Sequence, residues 1–137
     1  MKIYKCSKVS PGIARAKVLR SEEPVLFYHT DPKTGEITEK EHSLLGKSVC
    51  GKIMVFPGGK GSSVVQADGL YRLEQNHTAP AGFIVEHLDT VLVATAVIME
   101  IPMVWKVEKE FFEETKDDDM IEVDADHGEI RVLKQKG

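Results

Sequence analysis

Ile53-Met54-Val55-Phe56-Pro57-Gly58-Gly59-Lys60-Gly61-Ser62-Ser63 is the stretch from which the architecture can be read. Four consecutive apolar residues, two of them β-branched, read as a strand buried on both faces, and Pro57 ends it. From Ser63 to Glu74 the pattern is helical, so the glycine-rich turn joins a buried strand to a helix N-terminus. A turn of this kind gathers backbone N–H groups and two hydroxyls at the positive end of a helix, where an anion or a reacting oxygen is stabilised. It is not a Walker A loop, because Lys60 precedes Gly61 and both serines follow. Nor is it a dinucleotide fingerprint or a nucleophile elbow, which needs glycine where Val64 stands.

The helix register assigns the serines. With Ser63 as N-cap, Gln66 falls at N3 and the two form a capping box, while Val64, Ala67, Leu70 and Tyr71 make the inward face. Gly69 costs such a helix roughly 1 kcal/mol relative to alanine. This register leaves Ser62 uncommitted and able to meet a ligand; the plain alternative is that both serines only cap the helix. Among basic residues that can hold an anionic substrate, Arg15, Lys60 and Arg72, the one inside the turn is Lys60.

Outward from the turn, Lys2 to Leu19 reads as two short strands around Ser10-Pro11-Gly12, and Val25-Leu26-Phe27-Tyr28 as a third strand. Asp31-Pro32-Lys33-Thr34-Gly35 is turn chemistry for a loop or hairpin, and Glu36 to Lys47, with His42 inside it, reads as surface. Downstream, Phe83-Ile84-Val85 is a short strand and Thr90 to Met99 a buried helix. Ile101 to Trp105 is a strand with an edge proline. Met120 to Leu133 is a hairpin around Asp126-His127-Gly128. The acidic residues Glu113, Glu114 and Asp117 to Asp119 read as a solvated face.

The chain of 137 residues carries 42% hydrophobic and 29% charged residues with a formal charge of -4, the profile of an ordinary globular domain. A single domain, 1–137, is expected. No basic cluster suggests a nucleic-acid partner, and the uncharged run from Thr90 stops at Glu100, short of a membrane span. Without a signal-like N-terminus, the expectation is a cytoplasmic protein. Two cysteines, Cys6 and Cys50, without a CxxC pair or a Cys/His ladder, cannot by themselves ligate zinc or an iron–sulfur cluster, and five scattered histidines make no metal set. His42 is the one histidine that a turn can bring toward the glycine-rich segment.

The segment Gly51 to Ser63, with Asp31-Pro32 and Gly35 upstream and Ala79-Pro80-Ala81 downstream, resembles the small subunits of the aconitase X group. The resemblance runs from Val9-Ser10-Pro11-Gly12 to Ile101-Pro102 and on to the terminal hairpin. It implies an α/β fold, a swivelling β/β/α domain like the fourth domain of aconitase, with a mixed β-barrel or sheet and flanking helices. In that domain a Gly-Ser-Ser loop delivers a serine as the catalytic base, which carried onto this chain is Ser62. Gly59, Lys60, Gly61 and Ser63 then become substrate-binding candidates, and no residue becomes a metal ligand.

The resemblance also implies a partner. The four-iron four-sulfur cluster of the group is held by a separate large subunit, so a heterodimer and no cofactor on this chain are expected. For archaeal members the implied reaction is dehydration of mevalonate 5-phosphate to trans-anhydromevalonate 5-phosphate, toward isoprenoids. Aconitase and isopropylmalate isomerase continue Gly-Ser-Ser with Arg-Glu-His, whereas Val64-Val65-Gln66 follows here, so the arginine that holds a substrate carboxylate is missing. Bacterial relatives in the group act on a hydroxyproline, usually as fused chains. The competing readings are a dehydratase of another hydroxy acid and a non-catalytic swivelling carrier, which would need a histidine in the turn.

Overall fold

A computed structural model of the chain describes residues 2–137. Its strands are β1 (Lys2–Lys5), β2 (Ser7–Ser10), β3 (Ile13–Arg20), β4 (Ile53–Phe56), β5 (Gly82–Val85), β6 (Met103–Trp105), β7 (Met120–Asp124) and β8 (Glu129–Lys134). Three helices, α1 (Ser63–Gln75), α2 (Thr90–Ile98) and α3 (Lys109–Glu114), lie between them.

The strands join in the order β1-β8-β7-β3-β4-β5-β6-β2. Two strand systems meet on β3, whose residues Ile13 to Lys17 pair antiparallel with β7 and whose residues Val18 to Arg20 pair parallel with β4. β4, β5 and β6 continue the parallel part, as two strand–helix–strand units require. The two ends of the order, β1 and β2, are successive pieces of one N-terminal ribbon, so the sheet folds back on itself toward a barrel. Between them Cys6 leaves the ladder and its N–H bonds Gly128 O at 3.0 Å.

Alternation along the central strands builds two cores. Met54 and Phe56 of β4, Phe83 and Val85 of β5 and Met103 of β6 face the helices, in one cluster with Phe27, Leu70, Leu73, Leu92 and Ala96. Ile53, Val55, Ile84 and Val104 face the other way, against Ala14, Ala16, Phe111, Ile121, Val123 and Ile130. Both faces of β4 are therefore dry, which is why its sequence is an unbroken apolar run. The result is a layered mixed α/β arrangement of strands, strands and helices, as the aconitase-like resemblance implied.

Several expectations need correction. The N-terminal segment forms three strands, because Cys6 turns out of register to meet the terminal hairpin. Val25 to Tyr28 is no strand: Val25 makes one bridge to Gly59, and His29 N–H then closes a turn on Leu26 O at 3.0 Å. β6 is paired on both sides and Pro102 lies outside it; the edge of that half is β2. The segment from Glu36 to Lys47 is not all surface, since Ile37, His42 and Leu44 are buried. Among the acidic residues, Asp119 is buried and accepts from Lys116 and Lys136 N–H at 2.9 and 2.8 Å, and Asp117 accepts from Arg20 N–H at 2.6 Å. Both carboxylates accept from backbone N–H groups. The hairpin of β7 and β8, the strand Gly82–Val85 and the helix from Thr90 match their readings, although Val97 and Ile98 of that helix are exposed. The short α3 was not anticipated.

Candidate active site

The glycine-rich turn leaves the carboxyl end of β4, one of the parallel strands, and the loop from Glu86 to Asp89 leaves the adjacent end of β5. Crevices at the carboxyl ends of parallel strands are where open α/β sheets bind ligands, because loops and helix N-termini converge there. The two loops are tied together, as His87 N–H donates to Pro57 O at 3.0 Å. A third segment closes the group: Val25 N–H donates to Gly58 O at 3.1 Å and Val25 pairs with Gly59.

Gln66 holds this junction. Its side-chain carbonyl accepts from Phe27 N–H at 2.8 Å and its amide donates to Val25 O at 3.0 Å, with the residue 1% exposed. The capping box expected from Ser63 and Gln66 does not form. Instead Ser62 is the N-cap, in extended backbone, and its Oγ accepts from Val65 N–H at 3.5 Å. Ser63 is the first helical residue and is exposed.

The helix is also rotated from the face expected. Leu70 is buried with Gln66, Gly69 and Leu73, while Val64 and Tyr71 are 76% and 55% exposed. Gly69 is the reason: a Cβ there would fall inside contact distance of Phe27 C and Tyr28 N, so the helix packs directly on that backbone. Gly61 has a φ of 87°, a left-handed conformation that sets the turn's exit into α1.

The first turn of α1 carries no acidic residue, and the nearby carboxylate is that of Asp89, beside Gly59. Ser62 Oγ already faces an amide N–H at a length near the limit of a hydrogen bond, a weak cap that would shorten onto an alkoxide. Gly61, Ser62, Ser63 and Val64 are all exposed in the isolated chain.

Lys60, half-buried in the turn, is not a free cation: its Nζ bonds Glu39 Oε2 at 2.7 Å. The Lys60 hydrogen bond holds the Glu39 carboxyl below the ordinary carboxylate range, against a smaller opposing effect of burial. His29 Nδ1 lies 3.8 Å from the other oxygen, Glu39 Oε1. His42 is close in the chain's packing but spent: its Nε2 lies 3.1 Å from Pro24 O and its Nδ1 accepts from Leu44 N–H at 3.0 Å. That bonding fixes the proton on Nε2 and supports the segment leading to Val25. Arg15 and Arg72 do not join the site. Arg15 pairs with Glu122 at 3.1 Å on β7, and Arg72 pairs with Asp68 at 3.3 Å and lies over the Tyr28 ring.

Thus Gly59, Lys60, Gly61, Ser62 and Ser63 come together by chain continuity, while Glu39, Gln66 and Asp89 join them from outside the motif. Asp89 was legible: it precedes the apolar run of α2 and caps it, accepting from Val91 N–H at 3.0 Å. Glu39 carried no local signal, since only the fold brings it to Lys60. A surface cavity of about 590 Å³ lies elsewhere, between Lys17, Asp118 and the C-terminal residues, and shares no residue with the turn. Among the described residues no group of three or more His, Cys, Asp or Glu side chains could hold a metal ion, and the free Cys6 and Cys50 do not alter this.

With this geometry in view, comparison with known proteins decides the family. The family model for the aconitase X swivel domain matches residues 3–132. The chain belongs to that family. It is 41% identical over 130 residues to the phosphomevalonate dehydratase small subunit of Methanosarcina acetivorans, covering 94% of this chain and 90% of that protein. The protein of the same name from Thermococcus kodakarensis is 38% identical over 128 residues, 93% of each. The crystal structure of the holo-form of Thermococcus kodakaraensis aconitase X superposes with a TM-score of 0.87 at 37% identity, over 98% of this chain and 100% of that one. A solution NMR structure of a UPF0107 protein superposes at 0.84 with 34% identity, over 97% and 100%. The swivel domain that the resemblance implied is therefore the fold of this family. No described helix is long and apolar enough to cross a membrane.

Proposed function

We propose that this chain is the small subunit of a phosphomevalonate dehydratase, a hydro-lyase that converts (R)-mevalonate 5-phosphate to trans-anhydromevalonate 5-phosphate in the mevalonate route to isoprenoids. The observation that carries the reading is the near full-length similarity to archaeal subunits of that name, 33–41% identical in the five first compared. The exposed Ser62 at the N-terminus of α1 is what this chain brings to the reaction.

In this reading Ser62 Oγ takes the proton from the carbon next to the departing hydroxyl. The C–H electron pair becomes the new double bond and the C–O bond breaks, so the hydroxyl departs as hydroxide; that hydroxide and the proton taken by Ser62 together make up the water lost. A serine is a poor base unless its alkoxide is favoured, and three features of the chain favour it. The Val65 N–H faces Oγ, the N-terminus of α1 adds partial positive charge, and closure by a partner dries the site. Gly59, Gly61 and Ser63 present backbone N–H groups and a hydroxyl to the substrate, and Lys60 contributes the one ammonium of the turn.

The partner is a large subunit, which we assign, on the resemblance to the aconitase X group, as holder of a four-iron four-sulfur cluster. When bound there, the cluster supplies Lewis-acid assistance to loss of the hydroxyl. Val64, 76% exposed beside Ser62, and Leu88, 44% exposed on the neighbouring loop, give the open rim an apolar surface for that partner to cover. The chain is therefore one half of the active site, in a heterodimer, and is inactive alone.

The test is co-expression with the large subunit followed by assay on mevalonate 5-phosphate, free mevalonate and a hydroxyproline. Loss of water from the phosphorylated substrate, only with both subunits present, is expected. Turnover by the isolated chain, or a complex active on hydroxyproline and inert toward mevalonate 5-phosphate, would contradict the assignment.

A further inference from the structure

We infer that Glu39 is a positioning residue for Lys60, fixing its ammonium at the glycine-rich turn so that the remaining N–H donors meet the phosphate of the substrate. The inference rests on the dehydratase reading above and deepens it by assigning how the phosphate is recognised.

Glu39 is held from behind by structure. The turn at Asp31 to Gly35 closes with Gly35 N–H on Asp31 O at 2.7 Å, and Thr30 pairs with Ile37, whose side chain is 3% exposed in the core. Thr38 N–H then bonds His29 O at 2.9 Å, which sets Glu39 beside His29 and aims its second oxygen at Lys60. The same segment reaches the turn a second time, through the Val25 bridge to Gly59. A lysine chain has several freely rotating bonds, and immobilising it on substrate alone costs rotamer entropy. Glu39 has already restricted it.

The donor count leaves room for a ligand. An ammonium has three N–H donors, and Glu39 Oε2 takes one at 2.7 Å. One carboxylate cancels one ammonium, so the pair exerts little pull on distant anions. Discrimination arises on contact, where phosphate oxygens accept from the free donors and from N–H groups of the turn. A partly exposed ion pair of this kind contributes little to stability, so its expected consequence lies in binding.

The experiment uses the assembled two-subunit complex with mevalonate 5-phosphate, comparing Glu39→Gln, Lys60→Gln and the double variant. Each single substitution is expected to raise KM about tenfold, the loss of one charge-assisted hydrogen bond, with kcat within about threefold. The double variant should be no worse than Lys60→Gln, because Glu39 acts through Lys60. Wild-type KM in either single variant would overturn the inference. So would multiplicative losses in the double variant, which a general weakening of the loop would give. Ser62→Ala separates this from the parent reading: an inactive Ser62→Ala complex with unchanged KM in Glu39→Gln refutes only the positioning role, whereas an active Ser62→Ala complex refutes the base.

Discussion

The two cores that flank β4 are made of the same kinds of side chain, yet they differ in what closes them. On one side Ile53, Val55, Ile84 and Val104 meet other strands, and the antiparallel ladder of β1, β8, β7 and β3 covers them, with one register shift between Met120 and Ile121. Ion pairs staple its outer surface, Glu122 taking both Arg15 and Arg131, and Glu114 taking Lys2 while its Oε1 accepts from the Tyr4 hydroxyl. Burial, then that carboxylate, pushes the Tyr4 hydroxyl pKa up to about 12. On the other side Phe27, Phe56 and Phe83 pack against one another under two helices and an irregular segment. There the backbone is held by side chains, Gln66 above all, and by glycine contacts. The lesson is a division of labour: the strand-closed half supplies rigidity, and the helix-closed half keeps its loops at one edge, where chemistry can be done.

That contrast can be broken from either side. In the strand-closed half, Phe111→Ala removes a fully buried ring packed against Tyr4 and is expected to cost about 3–5 kcal/mol in denaturant unfolding. Mutant complexes that remain folded should keep kcat close to wild type, because the hydrophobic cluster around that ring includes no residue of the turn. A large fall in kcat in folded complex would show that the two halves are coupled. In the helix-closed half, Gly69→Ala forces α1 off the Phe27–Tyr28 backbone, at about 1–3 kcal/mol by the same measurement. Although smaller in stability, this change should lower turnover, since α1 carries Ser62 at its start. Unchanged kcat with reduced stability would separate the helix position from the chemistry.

The same division explains what the sequence disclosed. Where local pattern and environment agree, the reading held: the unbroken run Ile53 to Phe56, the alternating hairpin around Asp126-His127-Gly128, and the turn at Asp31 to Gly35. It failed where tertiary packing overrode local preference. α1 was oriented by its apolar residues, but a polar Gln66 and a side-chain-free Gly69 face inward because they serve the backbone of Val25 to Tyr28. With that rotation the cap moved from Ser63 to Ser62. Val25 to Tyr28 has strand composition, yet it turns after one bridge. At the site, the Gly-Ser-Ser turn was legible as a motif, whereas Glu39 was not, since its role comes from a hairpin that ends beside Lys60.

Ser62 does not lie free beside a capping Ser63; it is itself the cap, and the amide it faces is the group that would stabilise its ionised form. The most direct measurement of the central claim is turnover of mevalonate 5-phosphate by the assembled complex carrying Ser62→Ala, beside one carrying Ser63→Ala. The account predicts that Ser62→Ala lowers kcat on the order of a thousandfold with the two subunits still associated, while Ser63→Ala stays within about tenfold. Near-normal turnover by Ser62→Ala, or loss confined to Ser63→Ala, would contradict it.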